Sequence, residues 1–193
     1  MSKSLLIRLP KIKNIGAVVA LVALLFALRP TLAEEPKNKA PLMPNASFEE
    51  INPVTNLPQG WSMAYGRKPI CDATVAHDGN RSVRFQFQGP TEDFMILTTI
   101  PVKVATAAVC RVSFYIRTLD LEGGYVHIFI YRYPKMEQYN SKQLRGTTDW
   151  QKVEVDVPVV PVSDSLQVRV AASASWGEVW FDKGEVTIAE DTK

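Results

Sequence analysis

In repeated runs between Val83 and Ile188 apolar side chains return at every second position, and from Asn45 onward no stretch repeats them at helical spacing between a cap and a stop. This periodicity constrains the fold more than any other feature, because a segment with alternately oily and wet side chains is a half-buried strand. Val83, Phe85 and Phe87 alternate with Arg84, Gln86 and Gln88, and Val112, Phe114 and Ile116 with Arg111, Ser113, Tyr115 and Arg117. Val126, Ile128 and Ile130 alternate with Tyr125, His127, Phe129 and Tyr131. Val153, Val155 and Val157 alternate with Lys152, Glu154 and Asp156, and Leu166, Val168 and Val170 with Gln167, Arg169 and Ala171. Val179 to Ile188 supplies a last strand, interrupted at Gly184. Turn formers such as Asp78-Gly79-Asn80 and Glu122-Gly123-Gly124 separate the runs, and no fixed-period repeat is visible. The expected fold is all-β, an antiparallel jelly-roll β-sandwich. Pro134 to Asp149 reads as a polar loop of about 15 residues, a length usually functional or disordered.

The first 33 residues stand apart. Lys3, Arg8, Lys11 and Lys13 precede an apolar run of 14 residues, Ile15 to Leu28, and Thr31-Leu32-Ala33 follows. Basic, apolar and small residues in that order predict a secretory signal peptide cut after Ala33, and hence an exported protein that is secreted, periplasmic or on the cell surface. An uncleaved anchor is the competing reading, but the run is short of the roughly 20 residues a bilayer needs, so stable membrane insertion is not expected. The leader holds five of the 22 Lys and Arg residues and none of the 20 Asp and Glu, so the remainder carries 17 basic against 20 acidic residues, a net of −3. The basic pI near 8.5 thus belongs mostly to the leader and does not support nucleic-acid binding. Glu34 to Pro44, with Pro36, Pro41 and Pro44, predicts an extended linker. A single domain is expected over 45–190, long enough to bury its own core.

Cys71 and Cys110 are the only cysteines. In an exported chain an even pair reads first as a disulfide, which would contribute roughly 4 kcal/mol by closing a loop of that length. Two buried thiols on separate strands are the alternative.

Three groups of motifs carry a family resemblance. Asn45-Ala46-Ser47-Phe48-Glu49 is followed by Leu57-Pro58-Gln59-Gly60-Trp61, and Ala76-His77-Asp78-Gly79-Asn80-Arg81-Ser82-Val83 comes next. Thr148-Asp149-Trp150-Gln151-Lys152-Val153 and Val179-Trp180-Phe181-Asp182 stand near the end. In order and spacing these resemble carbohydrate-binding modules of the family 4/9/16/22 type, with the galactose-binding-like jelly roll. Where that family continues the last motif with a second acidic residue and an aliphatic one, this chain has Lys183 and Gly184. The resemblance implies a structural Ca²⁺ held by the side chains of Glu49 and Asp182 and by backbone carbonyls around Asn80, since calcium takes six to eight hard oxygens. It also implies buried rings at Trp61 and Trp150. The side on which Trp180 falls follows from the register of the final strand. Trp176, at a turn among small residues, is the candidate edge stacking residue, or else a plug between turns.

If the alternating runs share one sheet, its wet face displays Arg84, Gln86, Arg111, Ser113, Tyr115 and Arg117. Beside them come Tyr125, His127, Phe129, Tyr131, Gln167 and Arg169. Aromatic rings offer flat apolar surfaces to pyranose C–H groups, and Arg, Gln and Tyr bond hydroxyls. A guanidinium fork also suits carboxylate or sulfate, so the expected partner is a polysaccharide or oligosaccharide, an anionic one included. The same rings are favoured by strand propensity alone. Two other classes remain at this stage. A structural or adhesive envelope protein would keep the fold without a sugar site. A polysaccharide lyase would use Arg and Gln against a uronate and His127 with Tyr125 or Tyr131 to move the proton. Glu154 and Asp156, close together on one strand face, read as a solvated edge rather than a glycosidase pair. Two histidines, His77 and His127, make no zinc motif, and no nucleophile signature is present.

Overall fold

A computed structural model describes residues 42–104 and 108–189. The leader expected over 1–33, and most of the linker over 34–44, lie outside the described residues. Seven strands follow one another, with no helix among the described residues: β1 (Trp61–Tyr65), β2 (Ile70–Asp72), β3 (Ser82–Thr99), β4 (Ala108–Tyr133), β5 (Glu137–Asn140), β6 (Leu144–Val160) and β7 (Ser165–Ala189). All pair antiparallel in one sheet of order β1-β3-β7-β4-β5, with β2 added to β3 and β6 to β4.

This sheet cannot lie flat. Straight, the 26 residues of β4 would span roughly 85 Å, several times the radius of gyration of about 15 Å expected for such a domain. The three long strands therefore turn, and they do so side by side. β3 is irregular between Gln88 and Asp93, β4 between Leu119 and Glu122, and β7 passes through Gly177. These places are paired: Gln88 is opposite Trp176, and Trp176 opposite Glu122. Asp120 (φ 49°), Gly123 (φ 67°) and Gly177 (φ 109°) supply left-handed backbone along this fold line. A Cβ on Gly177 would stand 2.4 Å from the Asp120 carbonyl oxygen, so the backbones approach too closely for a side chain.

The fold line divides the sheet into two layers. The first holds β2, residues 82–88 of β3, the later half of β7, the earlier half of β4, and β6 paired along it. The second holds β1, residues 93–99 of β3, the earlier half of β7, the later half of β4, and β5. The expected alternation holds in both. Val83, Phe85, Phe87, Val112, Phe114, Ile116, Val179 and Phe181 from the first layer share one buried core with Val126, Ile128, Ile130, Val168, Val170 and Leu97 from the second. Trp61 of β1 lies 6.0 Å from Phe114 of β4 and 5.1 Å from Phe48, joining both layers to the N-terminal turn. The jelly-roll sandwich expected from periodicity is thus one sheet folded over.

Several expectations are corrected. The segment 134–149 is not a plain loop: it holds β5, paired from Phe129 to Arg132 of β4, and the start of β6. Trp150 is half-buried against the edge of His77 instead of lying in the core, whereas Trp61 is buried as expected. Lys183 and Gly184 are accommodated as a bulge, with Tyr115 opposite Asp182 and Ser113 opposite Glu185. There Lys183 takes φ 47°, and Gly184 leaves room for the Phe114 ring, which an added Cβ would meet at 2.3 Å. No disulfide joins Cys71 and Cys110. Cys71 sits on β2 and Cys110 on β4, with β3 and β7 between them, a lateral gap of about 14 Å. A disulfide requires Cα atoms within roughly 7 Å.

Candidate functional site: an aromatic ladder under an arginine

On the outer face of the second layer, β4 turns Tyr125, His127, Phe129, Tyr131 and Tyr133 away from the core, because Val126, Ile128 and Ile130 between them are fully buried. Successive ring centroids lie 5.4, 5.3, 5.6 and 6.4 Å apart, an unbroken ladder of tilted and edge-on contacts. The end rings, Tyr125 and Tyr133, are therefore at most about 23 Å apart, room for several pyranose rings. β7 lies alongside with Ala171 opposite His127, Arg169 opposite Phe129 and Gln167 opposite Tyr131. Beyond β7, β3 contributes Ile96 opposite Ala171 and Phe94 opposite Ser173. Ile96, Phe129 and Ala171 form a small buried cluster of their own, separate from the main core, with Phe94 and Tyr131 packed on it. On the other flank β5 adds Gln138 opposite Tyr131 and Asn140 opposite Phe129, joined by a 2.8 Å bond from the Gln138 amide.

Arg169 lies over this ladder. Its guanidinium carbon is 4.5 Å from the Tyr131 ring centroid and 5.5 Å from that of Phe129. One N–H donates to Gln167 Oε1 at 2.8 Å, and Nε is buried without a hydrogen-bond partner. Among the described residues no carboxylate pairs with it. Arg145 covers the far end, 5.2 Å from the Tyr125 centroid, donating to the Gly124 carbonyl and to Gln143. His127, between Tyr125 and Phe129, has its pKa lowered by burial, so its imidazole is neutral at pH 7.

The other candidate ligand residues do not join this face. Arg84, Gln86, Arg111, Tyr115 and Arg117 project from the outer face of the first layer, on the other side of the sandwich. This corrects the expectation of one shared face: the runs 111–117 and 125–131 are two halves of a single folded strand. Most of these residues are also occupied. Arg84 pairs with Glu178 at 3.1 Å and Asp72 at 3.4 Å, and Gln86 donates to the same Glu178 oxygen. Arg111 clasps Asp156 with two bonds of 2.7 and 3.0 Å, which holds that carboxyl below the usual range. Tyr115 stacks on His77 at 3.7 Å, and Arg117 lies 5.5 Å from the Trp180 ring centroid. Trp180 is buried on this layer and donates to Asp72 at 2.9 Å. Burial pushes the Asp72 carboxyl up, but bonds from Thr74 and Trp180 outweigh it and hold the group low. Trp176 stands at the fold line, half exposed.

Sequence reasoning missed Arg145, Asn140 and Gln138. The last two follow the alternation of β5, where Tyr139 packs on the core, but four residues inside a polar segment gave that signal little weight. Nothing in the sequence places Arg145 beside Tyr125.

Glu49 and Asp182 do converge on the turn containing Asn80, but the atoms facing them are amide donors. Glu49 Oε1 accepts from the backbone N–H of Asn80 at 2.8 Å and of Arg81 at 3.0 Å. Asp182 Oδ2 accepts from His77 and Asp78 at 2.7 and 3.0 Å, and Oδ1 from Lys183 at 2.6 Å. Lys183 Nζ also reaches Asp78. A calcium shell needs converging oxygens, and N–H groups oppose a cation. Among the described residues no group of three His, Cys, Asp or Glu is placed to hold a metal. As arranged, these residues do not fit calcium.

No family model matches the sequence, and no curated protein matches it. Solved structures do resemble it. A family 61 carbohydrate-binding module in complex with β-1,4-galactotriose superposes with TM-score 0.57 at 17% identity, covering 78% of this chain and 100% of its own. A tandem pair of family 22 modules from a Paenibacillus barcinonensis protein gives TM-score 0.52 at 16% identity, over 80% of this chain and 51% of that one. The enzymatically active domain of tailspike protein 4 of bacteriophage CBA120 gives 0.57 at 10% identity, covering 77% of this chain and 21% of its own. The protein has the antiparallel jelly-roll fold found in carbohydrate-binding modules.

Proposed function

We propose that the protein is an exported, non-catalytic carbohydrate-binding module that takes an anionic polysaccharide along the aromatic ladder of the second layer. One observation carries the reading. Arg169 rests on Tyr131 and Phe129 with no acid beside it, while Arg67, Arg84, Arg111 and Arg132 each pair with Asp or Glu. A guanidinium fixed over rings, with donors to spare, is suited to a carboxylate or sulfate carried by a sugar whose C–H face lies on the half-exposed rings of the ladder, Tyr125, His127 and Tyr131. Arg145 at the other end repeats the arrangement over Tyr125. The fold of the neighbours, several of them carbohydrate-binding modules, supports the reading.

The test is affinity electrophoresis and pull-down on polygalacturonate, alginate and sulfated galactan beside neutral xylan and galactan. At least one anionic polymer retards the wild type, and Arg169→Ala weakens that retention at least tenfold with an unchanged melting temperature. Indifference of all three anionic polymers to Arg169→Ala overturns the proposal. Release of unsaturated uronate, seen as a rise in ultraviolet absorbance, would show a lyase instead of a binder.

A further inference from the structure

We propose a second, independent carbohydrate site in the cleft at the fold line, on the outer face of the first layer, that selects neutral sugar and rejects the acidic kind. The cleft has a volume of about 680 Å³, within the range of small-ligand pockets. Two rows of paired residues build it. Gln88, Trp176 and Glu122 stand side by side across β3, β7 and β4, and Gln86, Glu178 and Leu119 form the next row. Trp176 is 49% exposed, whereas Trp61 and Trp180 are buried, so its indole face is presented to the cleft.

Its electrostatics are opposite to those of the ladder. Asp120, Glu122 and Glu178 line it, and among the described residues no Lys or Arg does. Glu178 Oε1 is taken up by Arg84 and Gln86, and Asp120 Oδ1 by Thr147. The other Glu178 oxygen, the Glu122 carboxylate and the Gln88 amide are left to bond a ligand. Acceptors around an exposed indole suit sugar hydroxyls, which donate, and repel a uronate or sulfate. Gly177, with its φ of 109°, and the registered turns on both neighbouring strands build the shape of the cleft into the backbone. Two sites of opposite selectivity, on opposite outer faces, let one molecule bridge a neutral and an acidic polymer.

The ladder contains Tyr, Phe and His but no Trp, so of the two sites only the cleft holds a tryptophan, and the part of the emission response that Trp176→Ala removes belongs to it. Titrating the protein with β-1,4-galactotriose, xylotetraose or cellotetraose, with trigalacturonate as the acidic control, will shift the emission and shield Trp176 from acrylamide for at least one neutral sugar. Trp176→Ala abolishes the response without changing the melting temperature, Trp176→Phe recovers binding by calorimetry, and Arg169→Ala leaves the response intact. The last result separates this site from the ladder, because failure of either proposal leaves the other standing. A response to none of the three neutral sugars, or a response that survives Trp176→Ala, overturns the inference. So does a wild-type dimer that Trp176→Ala turns into a monomer, which would make the indole an interface.

Discussion

Asp182→Ala is expected to remove a large share of the protein's stability, and to do so whether or not calcium is present. Asp182 is fully buried and satisfies three backbone N–H groups, those of His77, Asp78 and Lys183. Because the carboxylate itself is fully buried, each N–H it leaves without an acceptor costs about 1–3 kcal/mol. Water entering the space of the lost carboxylate recovers part of this, so the expected loss is about 4 kcal/mol, out of the 5–15 kcal/mol typical of a domain. Asp182→Asn keeps one acceptor oxygen and is expected to cost about half as much. Glu49→Ala is the control: it also frees two amides, but the Glu49 side chain is only half-buried where Asp182 is fully buried, so solvent replaces the carboxylate and about 1 kcal/mol is lost. Urea denaturation, followed by tryptophan fluorescence in excess calcium and in excess chelator, measures all four proteins. Equal losses for Glu49→Ala and Asp182→Ala would refute the assignment by burial. A wild-type midpoint that rises with calcium would refute the amide clasp as the device that holds this turn.

Glycine positions along the fold line test the architecture. Gly177→Ala should cost at least ~3 kcal/mol, since its Cβ would collide with the Asp120 backbone, whereas Gly146→Ala should cost only about 1 kcal/mol, because nothing lies within 4 Å of its Cβ; chemical denaturation compares them. His127 has its folded pKa lowered by burial, so the unfolded chain takes up its proton first as pH falls through the ordinary histidine range near ~6.5. The stability it contributes is present above that range and lost below it, and His127→Phe should flatten this acid limb in urea midpoints measured at pH 7.5 and 5. Arg111→Ala should leave the urea midpoint essentially unchanged, because its bidentate pair with Asp156 is solvent-exposed, and should leave polysaccharide retention untouched because it stands on the other layer.

The side on which each residue falls was legible in the sequence, while the layer was not. Alternation alone turns Tyr125, His127 and Tyr131 outward, because Val126, Ile128 and Ile130 have to reach the core, and the same logic turns Arg84 and Arg111 outward. It carries no information about where a strand folds back. The runs ending at Arg117 and beginning at Tyr125 look like neighbours in one sheet and are one strand bent at Asp120 and Gly123. The cysteines fail for a related reason: an even count says nothing about two intervening strands. The acidic motif residues were placed correctly in space, at the turn around Asn80, but sequence cannot tell whether a turn offers a carboxylate its carbonyls or its amides. Here it offers amides.

The registered bends of β3, β4 and β7 also limit how this chain can vary in length. One residue inserted or deleted within any of the three would move everything beyond it by a single place against its partners. The distal half would then present its valines to water and its tyrosines to the interior. Length changes are confined to connections outside the fold line, such as the exposed turn at 53–56, while the span from one layer to the other stays fixed to the residue.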